Sequence, residues 1–214
     1  MSKPYKVLLF DMDGTLADTD LMIVATFIDM FRKFRPDFPI TLKEIVYFSG
    51  PPILETLERY FPDHEIDFIW GEYMKISRAY YKDYIRNFPG AHDAINHLKL
   101  AGYRLGIITS KVYDATIESL ELLGFDPNMF EVIIGADNVK HAKPNAEPMQ
   151  KALEYLKVKP ADVLYIGDNG LDYVFAFNSG VDSALVSWTL RALDPKLTPT
   201  YIFNSYAELE EELL

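Results

Sequence analysis

The sequence predicts an α/β fold, with a central parallel sheet flanked by helices and one inserted, all-helical segment. Short apolar runs recur at Val7–Phe10, Leu105–Ile108, Val132–Ile134, Val163–Ile166, Ala184–Val186 and Tyr201–Phe203. Unbroken apolar runs of that length suit strands buried on both faces, as in a parallel sheet. Helical patterns lie between them, and strand alternating with helix implies right-handed crossovers. From about Ala17 to Phe88 this rhythm stops, leaving helical periodicity and no convincing strand.

In chain order, Val7–Phe10 is the first strand. Leu21, Val24, Ala25, Ile28 and Phe31 form one helical stripe, Leu54, Leu57 and Phe61 a second, and Ile69, Tyr73, Ile76, Tyr80 and Tyr84 a third. Breaks at Pro36–Pro39, Gly50-Pro51-Pro52 and Pro62 separate them. The aromatic stripe reads first as a helix-packing interface. The chain returns near Phe88-Pro89-Gly90, so a core of residues 1–16 and 89–214 would carry a helical insertion at 17–88. Ile95 and Leu98 share a helix face, with Gly102 as its stop. Met149, Ala152, Leu153 and Leu156 mark another helix, with Asn145 as N-cap and Pro148 tolerated in the first turn. The acidic end, Glu208–Glu212, is expected to fray into solvent.

The 214 residues carry 21 basic and 32 acidic side chains, a net charge of −11, with 49% apolar residues and no cysteine. The apolar fraction can bury a core, which excludes disorder. The negative balance argues against nucleic acid and anionic membranes as partners. Without cysteine there is no disulfide and no thiolate ligand or nucleophile, in keeping with a cytoplasmic protein. No apolar run has the length of a signal peptide or a membrane span.

The chemistry concentrates at strand ends. Phe10-Asp11-Met12-Asp13-Gly14-Thr15-Leu16 puts two carboxylates after the first strand, where open α/β sheets bind ligands. Their repulsion calls for a cation or a shared proton. Thr109-Ser110-Lys111 follows the second apolar run and offers hydroxyls and amides to an anion. Lys143-Pro144 precedes a helix, and Gly167-Asp168-Asn169-Gly170-Leu171-Asp172 follows Val163–Ile166. Taken singly, each also reads as a loop residue or a helix cap.

Together, in this order and over nearly the whole chain, the four motifs resemble the haloacid dehalogenase superfamily, specifically its phosphatase members. The resemblance implies a Rossmann-like core with a helical cap. Asp11 would be the nucleophile that forms an aspartyl phosphate, and Asp13 the general acid and then base. Magnesium would be held by Asp11, the Asp13 carbonyl and Asp168. Thr109, Ser110 and Lys143 would hold and neutralise the phosphoryl group. Asn169 and Asp172 would orient these groups from behind. Asp13 favours phosphoryl transfer, because the dehalogenases of the family lack it.

The helical cap is similar to the branch containing phosphoglycolate phosphatases and β-phosphoglucomutases. Asp137–Pro144 and Val186-Ser187-Trp188-Thr189-Leu190 look like the bacterial phosphoglycolate phosphatase and inorganic pyrophosphatase members. Phe48-Ser49-Gly50-Pro51-Pro52 is similar to a substrate-facing cap loop there, making Gly50 and Pro51 candidates, although an ordinary interhelix turn explains them equally well. A mutase is disfavoured because Leu21–Phe34 holds no histidine. The expected partner is a small phosphorylated metabolite, phosphoglycolate first, or pyrophosphate. Which of the insertion's basic residues faces it cannot be selected from the sequence.

Overall fold

The computed structural model describes residues 5–49 and 51–214. Strand β1 (Val7–Phe10) leads through a two-residue β2 (Ala17–Asp18) into four helices: α1 (Asp20–Phe34), α2 (Leu42–Val46), α3 (Ile53–Tyr60) and α4 (Ile66–Tyr84). The chain returns through β3 (Arg86–Asn87) and then alternates: α5 (Ala91–Leu100), β4 (Arg104–Ile108), α6 (Tyr113–Leu122), β5 (Val132–Ile134), α7 (Glu147–Leu156), β6 (Val163–Gly167), α8 (Gly170–Ser179), β7 (Asp182–Val186), β8 (Tyr201–Phe203) and α9 (Tyr206–Leu213).

Six strands form one sheet in the order β5-β4-β1-β6-β7-β8, every pair parallel. β1 is central, with Phe10 registered against Ile107 on one side and Ile166 on the other. The side-chain period of two sorts each strand between two cores. Leu8, Phe10, Leu105, Ile107, Leu164 and Ile166 join the cluster that includes α5, α9 and the α1–α4 helices. Val7, Leu9, Ile108, Val163 and Tyr165 join the cluster under α7 and α8. Burial on both faces is why these strands read as unbroken apolar runs.

Four expectations are corrected. The segment 17–88 is not wholly helical, since β2 and β3 pair antiparallel, Ala17 with Asn87 and Asp18 with Arg86, tying its entrance to its exit. The α1 stripe is rotated: Ile23, Phe27, Met30 and Phe31 are buried, whereas Leu21 is 54% exposed. α1 is apolar nearly all round, so two registers satisfy the same period, and the aromatic partners Phe48 and Tyr73 select the one built on Phe27. The C-terminus does not fray. Leu209 and Leu213 are buried, and the Tyr206 hydroxyl donates to the Thr15 carbonyl at 2.7 Å. Asn145 caps α7 one residue further out than expected, accepting from the Glu147 amide. Among the described residues no helix is long and apolar enough to cross a membrane.

Candidate active site

The strand order brings the carboxyl ends of β4, β1 and β6 side by side, and the charged residues gather there. The Asp11 amide continues the ladder by donating to the Ile166 carbonyl at 2.8 Å, which fixes its side chain at the tip of β1. Gly14 turns the chain at φ +87°, and a Cβ there would overlap the Asp168 carboxylate. Gly167 is likewise obligatory, because a Cβ would overlap Asp172.

Beneath this floor lies a buried network. The Lys143 ammonium is 2.9 Å from Asp11 Oδ1 and donates to Asp172 Oδ1 at 2.7 Å and to the Tyr165 hydroxyl at 3.0 Å. Tyr165 donates to the Ile108 carbonyl at 2.9 Å. Asp172 Oδ2 accepts from the amides of Asp168 and Asn169, and Asn169 donates to Asp168 Oδ1 while capping α8 at the Leu171 amide. Burial pushes Asp11 up from 3.8 to about 6, against the lowering effect of Lys143. Burial acts to lower Lys143, but the carboxylates of Asp11 and Asp172 outweigh it and leave it raised, hence charged.

Asp13, Thr109 and Ser110 line a cavity above Asp11 together with Pro51. The Ser110 hydroxyl is buried without a partner, and Thr109 Oγ1 accepts from the Lys111 amide at 3.2 Å. Gly50 lies outside the described residues.

Three groups escaped sequence reasoning. Lys111 donates to both Asp13 oxygens, at 3.0 and 3.2 Å. Its place directly after Thr109-Ser110 was the available signal. Tyr165 was hidden inside an apolar strand run, although the period of two faces it toward the Lys143 layer. Arg191, from the irregular segment after β7, donates to Asp168 Oδ2 and to the Ser49 carbonyl, and lies 3.6 Å from Asp20. Nothing in the local sequence pattern marks it.

A family model described as haloacid dehalogenase-like hydrolase matches residues 8–186, which contain the acidic cluster, Lys143 and the Thr-Ser pair. The chain belongs to the haloacid dehalogenase-like hydrolases. Among its relatives, a pyrophosphatase PpaX of Halalkalibacterium halodurans is 30% identical over 203 residues, spanning 94% of this chain and 93% of the relative. A putative haloacid dehalogenase-like hydrolase from Bacteroides fragilis superposes with a TM-score of 0.86 at 28% identity, over 96% of this chain and 99% of that one. A predicted phosphoglycolate phosphatase from Haemophilus somnus shares the fold, with a TM-score of 0.84 at 16% identity over 97% of each chain. Metal-dependent phosphate hydrolysis is consistent with this family.

The residues present fit the divalent metal that haloacid dehalogenase-like hydrolases generally use. Asp11, Asp168 and Asp172, all buried, bring carboxylate oxygens within 4.8 Å of one another. A hard oxygen set of this kind suits a hard divalent cation. Asp172 already accepts from Lys143 and from two amides. Coordinating capacity therefore rests with Asp11 and Asp168.

Proposed function

We propose that this hydrolase cleaves the P–O bond of small phosphate compounds through a phosphorylated Asp11, with magnesium as its metal. The observation that carries the reading is Asp11 itself: a buried carboxylate at the tip of the central strand, 2.9 Å from Lys143, facing a cavity that it shares with Asp13.

An Asp11 oxygen attacks phosphorus as the bond to the leaving oxygen breaks, and Asp13 acts as the general acid that delivers a proton to that oxygen. Asp13 then takes a proton from water, whose oxygen bonds to phosphorus while the Asp11–phosphorus bond breaks. Inorganic phosphate leaves and Asp11 is regenerated. Lys143 offsets the charge that accumulates beside Asp11. Thr109 and Ser110 hold phosphoryl oxygens, and Lys111 keeps Asp13 aimed into the cavity. Asp11, Asp168 and the Asp13 carbonyl would hold a divalent cation, which when bound would reduce repulsion between carboxylate and phosphate. Asn169 and Asp172 keep Asp168 and Lys143 in place. Residues 17–88 serve as a cap that opens for exchange and closes over the core of 1–16 and 89–214. A cytoplasmic location accords with a phosphorylated metabolite as substrate and a chain without cysteine.

The test is p-nitrophenyl phosphate hydrolysis with magnesium and with chelator. Release is expected only with the metal, and Asp11→Asn should lose roughly a thousandfold or more in kcat. Metal-independent release, or activity retained by purified Asp11→Asn, would sink the reading. A protein that only binds phosphate ligands shows no release at all. Pyrophosphate, the substrate in the relatives' name, and phosphoglycolate head the panel of natural compounds.

A further inference from the structure

The wall facing Asp11 across the cavity is apolar. Met22 and Ile23 of α1, Ile53 at the start of α3, and Trp70, Tyr73 and Met74 of α4 form it. Trp70 and Tyr73 stack at 5.8 Å and 17°, and Tyr73 packs on Phe27, so the aromatic part of the wall is braced from behind. The charged residues lining the cavity are Asp11, Asp13 and Lys111. Lys111 is committed to Asp13 through both carboxylate oxygens.

None of the basic residues of the helical insertion lies among the described residues of the lining. Arg32 pairs with Asp29, Lys33 with Glu72 and Arg78 with Glu118. Arg35 donates to the Tyr60 carbonyl and Arg86 to the carbonyls of Lys82 and Ile85. Lys43 and Arg59 border a separate depression beside α2 and α3. Lys75 and Lys82 are exposed, and Arg191 is held by Asp168 and Ser49 outside the cavity lining.

A second anionic group on the substrate, whether carboxylate or phosphate, would therefore be desolvated beside two carboxylates, with no unpaired basic side chain among the described residues of the lining. Burying an unpaired charge is strongly unfavourable. An uncharged apolar group gains by the same burial, and the Trp70–Tyr73 pair offers a ring a face to pack against. Resting on the phosphatase reading above, we infer that the substrate is a phosphate monoester whose leaving group is uncharged and apolar. Its products are the free alcohol or phenol and inorganic phosphate, by the step already described.

The experiment compares kcat/KM of the full chain, with magnesium, for benzyl phosphate, phosphoglycolate and pyrophosphate. The first two are alkyl phosphates that differ chiefly in a phenyl ring against a carboxylate. Benzyl phosphate should lead both by roughly tenfold or more. Met74→Lys, and Leu54→Lys at the exposed rim in case the first variant folds poorly, should shift the ratio toward phosphoglycolate and pyrophosphate by roughly tenfold. Phosphoglycolate or pyrophosphate ahead of benzyl phosphate in the unmodified protein overturns the inference and leaves the phosphatase reading intact. Ratios unchanged in both folded lysine variants also overturn it. No magnesium-dependent turnover of any phosphate compound overturns the phosphatase reading, and the inference with it.

Discussion

Asp11 carries its charge against its surroundings. Burial raises its carboxyl to about 6 in the metal-free protein, above the ordinary 3.8. A carboxyl raised on folding favours the folded state when protonated, and that contribution is lost as pH rises through about 6. Asp11→Asn should therefore stabilise the chelated protein at pH 7.5 by about 1–2 kcal/mol, and much less at pH 4.5, read by thermal unfolding at the two values. A stabilisation independent of pH would contradict the burial argument. Arg191 sets a second residue-scale expectation. Its guanidinium already occupies Asp168 Oδ2, so an incoming cation must compete with it. Arg191→Met should tighten magnesium binding by roughly tenfold in titration calorimetry, a coupling of ordinary size. Weaker binding would mean that the guanidinium aims Asp168 instead of competing for it. That Asp11, Asp13 and Asp168 gather at one edge of the sheet was legible because each follows a strand, whereas Lys143 was singled out only by the order of the four motifs and the family resemblance they carry. Arg191 was not, because the irregular stretch before β8 carries no periodicity to say where its side chain goes.

At the scale of elements, the helices of the insertion are held by rings. Phe27 is fully buried and meets Phe48 at 4.8 Å and Tyr73 at 5.4 Å, so it joins α1, the α2–α3 connection and α4. Phe27→Ala should cost about 3–5 kcal/mol, measured by urea unfolding. A loss below about 1 kcal/mol would show that the neighbouring rings collapse into the space. The strands of the sheet were readable as unbroken apolar runs, since both faces are covered. The register of α1 was not, because Leu21, Val24 and Ile28 fit the helical period as well as Ile23, Phe27 and Met30 do, and only tertiary partners break the tie. β2 and β3, two residues each, lie below the length at which any pattern can be detected.

For the whole molecule, the net charge of −11 has a local meaning. The cluster of Asp11, Asp168 and Asp172 has Lys143 and Arg191 as its buried counter-ions, which leaves one negative charge for a cation to meet. Magnesium at a hundredfold excess over its Kd should contribute about 2.7 kcal/mol, which raises Tm by about 5–10 °C over the chelated protein for a chain of this size. Asp168→Asn should abolish most of that rise. An equal rise in the variant would move the metal elsewhere.

The pairing of β2 with β3 has a consequence for how this molecule can vary. Ala17 and Asn87 are ladder partners, so the long segment between them departs and returns across one strand spacing, about 5 Å. To the sheet it is a loop closed at its base, and the entropy of closing such a loop grows only slowly with its length. The apolar wall of the cavity is thus carried on a detachable-looking strap, while Asp11, Thr109 and Asp168 are rooted in strand ends. The wall can vary on α1, α3 and α4 without disturbing the β1–β6 register that sets Asp11 beside Asp168.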